Sequence, residues 1–203
     1  MIDVYQTIAA PSEGFYKDRG SRFLAFAYAV YSESDIKDCL EHLRKEHKKA
    51  RHHCYAWRLG LDKNNYRAND DGEPSGTAGK PILGQIDSFG TTNLLIVVIR
   101  YFGGTKLGTS GLINAYKLAA RDALEQAEII QKTQDEIHRI VFDYSIMSEV
   151  MTLVKSNPHL EILVQDFQDT GMIEFAIRQQ EAAAMIETLE ALEGLEHQFL
   201  YLR

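Results

Sequence analysis

Two glycine-rich segments hold the residues of this 203-residue chain that are best suited to chemistry. The first runs Asn69-Asp70-Asp71-Gly72-Glu73-Pro74-Ser75-Gly76-Thr77-Ala78-Gly79-Lys80-Pro81. Glycines at 72, 76 and 79 let successive backbone N–H groups point at one spot, which makes an anion nest. Ser75 and Thr77 add hydroxyls, and Lys80 adds charge. A helix starting near Ala78 adds the positive end of its dipole. This predicts a cradle for a phosphate or an RNA backbone, and the same residues suit a structured turn with a helix cap equally well. The second segment is Arg100-Tyr101-Phe102-Gly103-Gly104-Thr105-Lys106-Leu107-Gly108. It lies between an apolar run and a helix, where ligands collect in α/β sheets. Arg100 is equally suited to pair with Asp70, Asp71 or Glu73. Neither segment is a Walker loop, which needs G-x-x-x-x-G-K-[ST]. Gly103 and Gly108 have its glycine spacing, but Thr109 stands where the lysine belongs. Pro74 stands where the first glycine before Gly79-Lys80 belongs, and G-x-G-x-x-G does not occur. Nucleotide hydrolysis and dinucleotide chemistry therefore have no motif behind them.

A third segment, residues 44–53, carries Arg44, Lys45, Lys48, Lys49 and Arg51 with His47, His52 and His53 against one glutamate. Cations at a helix C-terminus complement its dipole, and the same cluster suits phosphates. His52 and Cys54 share a strand face. A nucleophilic cysteine also needs an oxyanion hole, and cysteine is most often buried packing, so no catalytic residue is assigned. Cys39, His42 and His47 do not align on one helix face, and no C-x-x-C exists, so no metal site is expected. An EF-hand fails because Tyr66 and Arg67 follow Asp62 and Asn64 in place of a ligand and a glycine. No cofactor is expected.

The elements that position these residues follow from periodicity. Residues 21–31 read as a strand with Leu24, Phe26, Tyr28 and Val30 on one face and Ala25, Ala27 and Ala29 on the other. Residues 34–49 read as a helix, with Ile36, Leu40, Leu43 and His47 in register and a Ser32/Asp35 capping box. Residues 51–59 read as a second strand and 62–81 as a long polar loop. A short helix with Pro81 in its first turn follows. The aliphatic run 94–99 predicts a central strand buried on both faces. A helix from about 110 to 128 carries Ala115, Ala119, Ala123 and Ala127 as a small-residue stripe. That stripe is expected against a sheet, on the alanine face of the first strand. Residues 137–202 then read β-α-β-β-α-β, the split βαβ order of a ferredoxin-like module, with a hairpin turn at 168–171.

Charge divides the chain in the same place. Residues 1–133 hold 18 Lys and Arg against 16 Asp and Glu, whereas residues 134–203 hold 4 against 13. The acidic part repels a polyanion over a Debye length of about 8 Å, so any such contact falls to the first part. The longest apolar run, residues 23–31, is too short to span a membrane, which takes about 20 residues. The opening Met1-Ile2-Asp3-Val4 lacks a signal-peptide pattern. With two cysteines there is no disulfide framework, and a cytoplasmic location is expected.

Residues 71–82 and 100–108 together resemble the Impact/YigZ family. Lys17-Asp18-Arg19-Gly20-Ser21-Arg22-Phe23 and His52-His53-Cys54-Tyr55-Ala56 are similar to its two earlier segments. The likeness covers residues 5–125, with one mild departure: His53 stands where asparagine is common. The resemblance implies an α+β fold in two domains. Residues 1–131 would be the family's N-terminal domain, similar to domain IV of elongation factor G. Residues 135–203 would be a ferredoxin-like domain, similar to domain V. It implies a non-enzymatic RNA- or ribosome-binding protein involved in regulation of translation, with a possible protein partner and no membrane. The anion- or RNA-binding residues would be Arg22, His52, Asp71, Gly72, Glu73, Ser75, Gly76, Thr77, Gly79, Lys80, Arg100, Tyr101, Gly103, Gly104, Lys106 and Gly108. Two alternatives stand beside it. One is an enzyme acting on a small phosphorylated or peptide-like ligand, with His52 as base and Asp70 and Asp71 holding a metal. The other is a protein-interaction adaptor.

Overall fold

The computed structural model describes residues 3–62 and 64–203; Met1 and Ile2 of the opening, and Lys63 of the polar loop, lie outside them. The chain divides into two units. One is Tyr5–Lys132 and the other Thr133–Arg203 with Asp3 and Val4.

In chain order the first part runs β1 (Val4–Ile8), β2 (Ser12–Asp18), β3 (Ser21–Ala29), α1 (Glu33–Glu46), β4 (His52–Leu59), β5 (Asn65–Asn69), α2 (Gly79–Ser88), β6 (Leu94–Tyr101), α3 (Gly108–Gln126) and β7 (Ile129–Thr133). Five strands form one sheet in the order β2-β3-β6-β4-β5, each antiparallel to its neighbours. β6 is central, and its residues Leu94 to Ile99 are fully buried, as an aliphatic run with no polar face requires. On one face α2 and α3 pack Ile82, Ile86, Ala115 and Ala119 against Ala25, Ala27, Ala56 and Ile96. On the other, α1 packs Ile36, Leu40 and Leu43 against Tyr55, Trp57, Leu95 and Val97. Each large side chain fully buried this way contributes about 1.5–3 kcal/mol. The alanine stripe of α3 meets the alanine face of β3, as its spacing predicts. The approach is closest at β2, where a Cβ on Gly14 would overlap the backbone of Ala123. The capping box closes on α1: Asp35 N–H donates to Ser32 Oγ at 3.1 Å, and the Asp35 carboxylate accepts the Ser32 N–H at 3.0 Å.

The polar loop expected at 62–81 is partly a strand. β5 pairs with β4 from Leu59↔Asn65 to Tyr55↔Asn69. Its Asn-Tyr-Arg-Ala-Asn sequence shows no apolar alternation because an edge strand held by backbone ladder bonds needs none. β2 is an edge strand of the same kind and is equally silent in the sequence.

The second part runs β8 (Asp135–Phe142), α4 (Met147–Ser156), β9 (Leu160–Phe167), β10 (Gly171–Arg178), α5 (Gln179–Glu190) and β11 (Leu195–Leu202). Its sheet order is β11-β8-β10-β9, with every neighbouring pair antiparallel, so β10 splits β8 from β9. Ile140, Phe142, Ile173 and Phe175 pack against Val150, Val154, Met185 and Leu189. Asp3 belongs to this unit although it opens the chain. Its fully buried carboxylate accepts Arg178 Nε at 2.8 Å and Nη2 at 3.1 Å. No helix among the described residues is long and apolar enough to cross a membrane.

Candidate functional site

Strand direction gathers the segments singled out above at one end of the five-stranded sheet. β6 ends at Tyr101, and its antiparallel neighbours β3 and β4 begin there, with Arg22 opposite Tyr101 and His52 opposite Arg100. β5 ends beside the start of β4, with Asn69 opposite Tyr55. The turns after β2, α1, β5 and β6 therefore share one rim.

The turn at 70–78 is a nest, as its glycines predict, with Gly72 and Gly76 at positive φ of 84° and 76°. Its anion is the chain's own. The Asp70 carboxylate accepts the N–H groups of Gly76, Ala78 and Gly79 at 2.8, 3.0 and 2.8 Å. Burial pushes the Asp70 carboxyl up, but the three amides and Lys80 outweigh it and hold it below the usual carboxylate range. Glu73 N–H donates to the Asp70 carbonyl, and Thr77 gives both its N–H and its hydroxyl to the Pro74 carbonyl. A Cβ on Gly79 would overlap the Asn69 backbone, so the helix start lies hard against β5. The expectation that Gly76, Thr77 and Gly79 offer free donors is corrected on these bonds. Ser75 stays exposed and takes no internal partner among the described residues.

The neighbouring acids also turn inward. Asp71 accepts the His53 N–H at 2.6 Å on its carboxylate and His52 Nδ1 at 2.8 Å on its carbonyl. A carbonyl only accepts, so Nδ1 of His52 carries the hydrogen. Glu73 Oε1 accepts Arg100 Nη1 at 2.6 Å and the Tyr116 hydroxyl at 2.9 Å, and the two ion-paired side chains are only 4% and 7% exposed. Arg100 is thus an internal partner, and its expected contact with an external phosphate is corrected. Of the three acids open to it, it takes Glu73, and its guanidinium lies 5.6 Å from the Phe23 ring centroid and 5.5 Å from that of Phe102. Cys54 is fully buried, and its thiol donates to the Asp70 carbonyl at 3.0 Å. Burial pushes that thiol up, away from the thiolate a nucleophile needs. His52 faces Asp71, so no Cys–His dyad forms. The enzyme reading needs Asp71, Ser75, Thr77, His52 and Arg100 to converge; His52 meets Asp71 only at its carbonyl, while Thr77 is bonded to Pro74, Arg100 to Glu73, and Ser75 is exposed. Among the described residues no group of three His, Cys, Asp or Glu is placed to hold a metal.

The turn after β6 is built differently. Residues 102–106 are exposed, Leu107 is buried as an anchor, and Gly108 opens α3 at a φ of 74° with no side-chain cap. Gly103 N–H donates to Ser21 Oγ at 3.1 Å, and a Cβ on Gly103 would overlap the Gly20–Ser21 backbone. Gly104, at a φ of 89°, meets nothing. Tyr101 is held by His47 Nδ1 at its hydroxyl, 2.9 Å, while the Arg22 guanidinium lies 5.3 Å from its ring centroid. Arg19, Arg22, Lys49, Arg51, Lys80 and Lys106 are exposed on this rim; among the described residues none forms a close ion pair, although the Lys80 charge acts on Asp70. Phe102 is 58% exposed. Sequence reasoning passed it over, although an aromatic residue between the last strand position and a Gly-Gly turn has no core to enter.

The Impact N-terminal domain model matches residues 19–124. The Escherichia coli (strain K12) IMPACT family member YigZ is 36% identical over 148 residues, 72% of each chain. A crystal structure described only as that of a hypothetical protein is 30% identical, covers 99% of both chains and superposes with a TM-score of 0.75. The two-domain translational regulator Yih1 is 29% identical over 60% of this chain and 47% of its own, with a TM-score of 0.36. The chain belongs to the Impact family.

Proposed function

We propose that this is a non-enzymatic RNA- or ribosome-binding protein acting in the regulation of translation, with the rim of the first sheet as its binding surface. One observation carries the reading. The acids Asp70, Asp71 and Glu73 on this rim are engaged inside the protein, while Arg19, Arg22, Lys49, Arg51, Lys80 and Lys106 around them are exposed and make no ion pair within hydrogen-bond distance among the described residues. Exposed cations therefore outnumber exposed acids on this rim, on a chain whose formal net charge is −7. Such a surface takes phosphates through Arg22, Lys80 and Lys106, with the open turn at 103–108 lending its amides. Asp71, Glu73, Arg100 and Tyr101 act as its scaffold, and His52 holds the 70–78 turn to β4. On this reading the first domain corresponds to domain IV of elongation factor G. The ferredoxin-like second domain corresponds to domain V, and the acidic second domain stays off the RNA. That Yih1 is a translational regulator accords with the regulatory part of the proposal.

Binding of the purified full chain to ribosomal RNA fragments between about 50 and 200 mM salt tests it. Affinity is expected to fall linearly on a log–log plot. Replacing Arg22 and Lys106 together by alanine should flatten the slope by about 0.7–0.9 per lost phosphate contact. A salt-independent affinity, or a slope that the double variant leaves unchanged, refutes the proposal.

A further inference from the structure

We infer that the rim takes unpaired nucleotides rather than duplex, with Phe102 as the ring on which a base stacks. The inference rests on the RNA-binding function proposed above and names its ligand class. Phe102 leaves 58% of its surface to solvent, yet the backbone on both sides of it is fixed. The β6 ladder holds Tyr101 opposite Arg22 on one side. On the other, Gly103 is pressed against Gly20 and Ser21 and donates its N–H to Ser21 Oγ. An aromatic ring on so rigid a mount loses little further freedom when a flat partner covers it. The Arg100 guanidinium stands 5.5 Å from the ring centroid and is itself held by Glu73, which supports the ring from within the protein. The residues that follow, Gly104 to Lys106, are exposed and carry a free cation. Arg22, on the neighbouring strand, supplies another.

A ring, cations and open amides within one short turn match the repeating unit of a single strand, in which bases alternate with phosphates. In a duplex interior both faces of each base are already stacked, and the protein is left with phosphates, 2′-hydroxyls and groove edges. Stacking distinguishes the two because it needs an open base face. It also tolerates any base, since every base has one.

The test compares the full chain binding to an oligouridine of about 12 nucleotides with binding to an RNA duplex of equal length. Wild type should favour the single strand. Phe102→Ala should weaken single-strand binding about tenfold while leaving the duplex affinity and the salt slope unchanged, because no charge is lost. Phe102→Trp should keep single-strand binding, and its exposed indole should be quenched by the RNA. Trp57 is the only other tryptophan and is buried, so the signal reports position 102. If Phe102→Ala binds the single strand as well as wild type does, or loses both ligands equally, stacking is wrong and the RNA-binding function stands. If wild type binds neither RNA, both proposals fall.

Discussion

Residues 69–80 and 100–108 are both glycine-rich, both lead into a helix and both close the same end of one sheet, yet one turn is sealed and the other open. The difference lies in the acids. The first segment carries Asp70, Asp71 and Glu73, and the second carries none. Asp70 reaches forward to the amides at 76, 78 and 79 and fills the nest that the glycines make. No carboxylate stands within or just before residues 100–108 to do the same, so the start of α3 stays uncapped. Glycine spacing thus tells where amides can converge, while the nearest carboxylates in the chain decide whether the convergence is left for a ligand.

The comparison can be broken most severely at its buried ion pair. Glu73→Ala would leave the Arg100 charge stranded in a site 7% exposed. Loss of one partner of a buried pair costs about 3–5 kcal/mol, which urea unfolding should show. Next comes Asp70→Ala, which removes the anion from the nest. A hydrogen bond to a charged group contributes about 1.5–3 kcal/mol, so a loss of about 2 kcal/mol is expected. Inorganic phosphate should restore part of that loss, stabilising the variant more than it does wild type; no greater effect in the variant would mean that the turn collapses once emptied.

Acid provides a gentler probe of the sealed turn. Burial pushes the His53 imidazole below its ordinary value, outweighing the nearby Asp71. The unfolded chain therefore takes up that proton first, and stability should begin to fall as pH drops below about 6.5. Asp70 is also held low, so its contribution is full above about pH 4 and is lost as pH falls further. Unfolding free energy measured across pH should show both declines, with the lower one shallower in Asp70→Ala. The open turn should give the smallest effect of all. Lys106→Ala is expected to change stability by less than about 0.5 kcal/mol while weakening RNA binding, which separates binding from folding at this position.

Much of this was legible wherever a local pattern is enough. The aliphatic run 94–99 could only be central, Ser32 and Asp35 announce the start of α1, and the alanines of β3 and α3 mark a close approach. The β-α-β-β-α-β rhythm of the second unit is likewise local, because each element repeats its own period. What escaped depends on partners far along the chain. β5 has no apolar pattern and exists through its ladder with β4. Asp3 joins the second unit through Arg178, 175 positions away. Arg100 had three acids to choose from along the chain, and only the folded backbone brings Glu73 rather than Asp70 or Asp71 to it. Phe102 escaped for the opposite reason, since an apolar residue is expected inside.

Ultraviolet crosslinking of the protein to RNA in cells, followed by mass spectrometry of the attached peptides, tests the division between the sealed and open turns most directly. Crosslinks should concentrate in residues 100–108, with further sites in residues 17–23 and 44–52. Crosslinks confined to the acidic residues 134–203, or to the interior of the turn at 70–78, would contradict it.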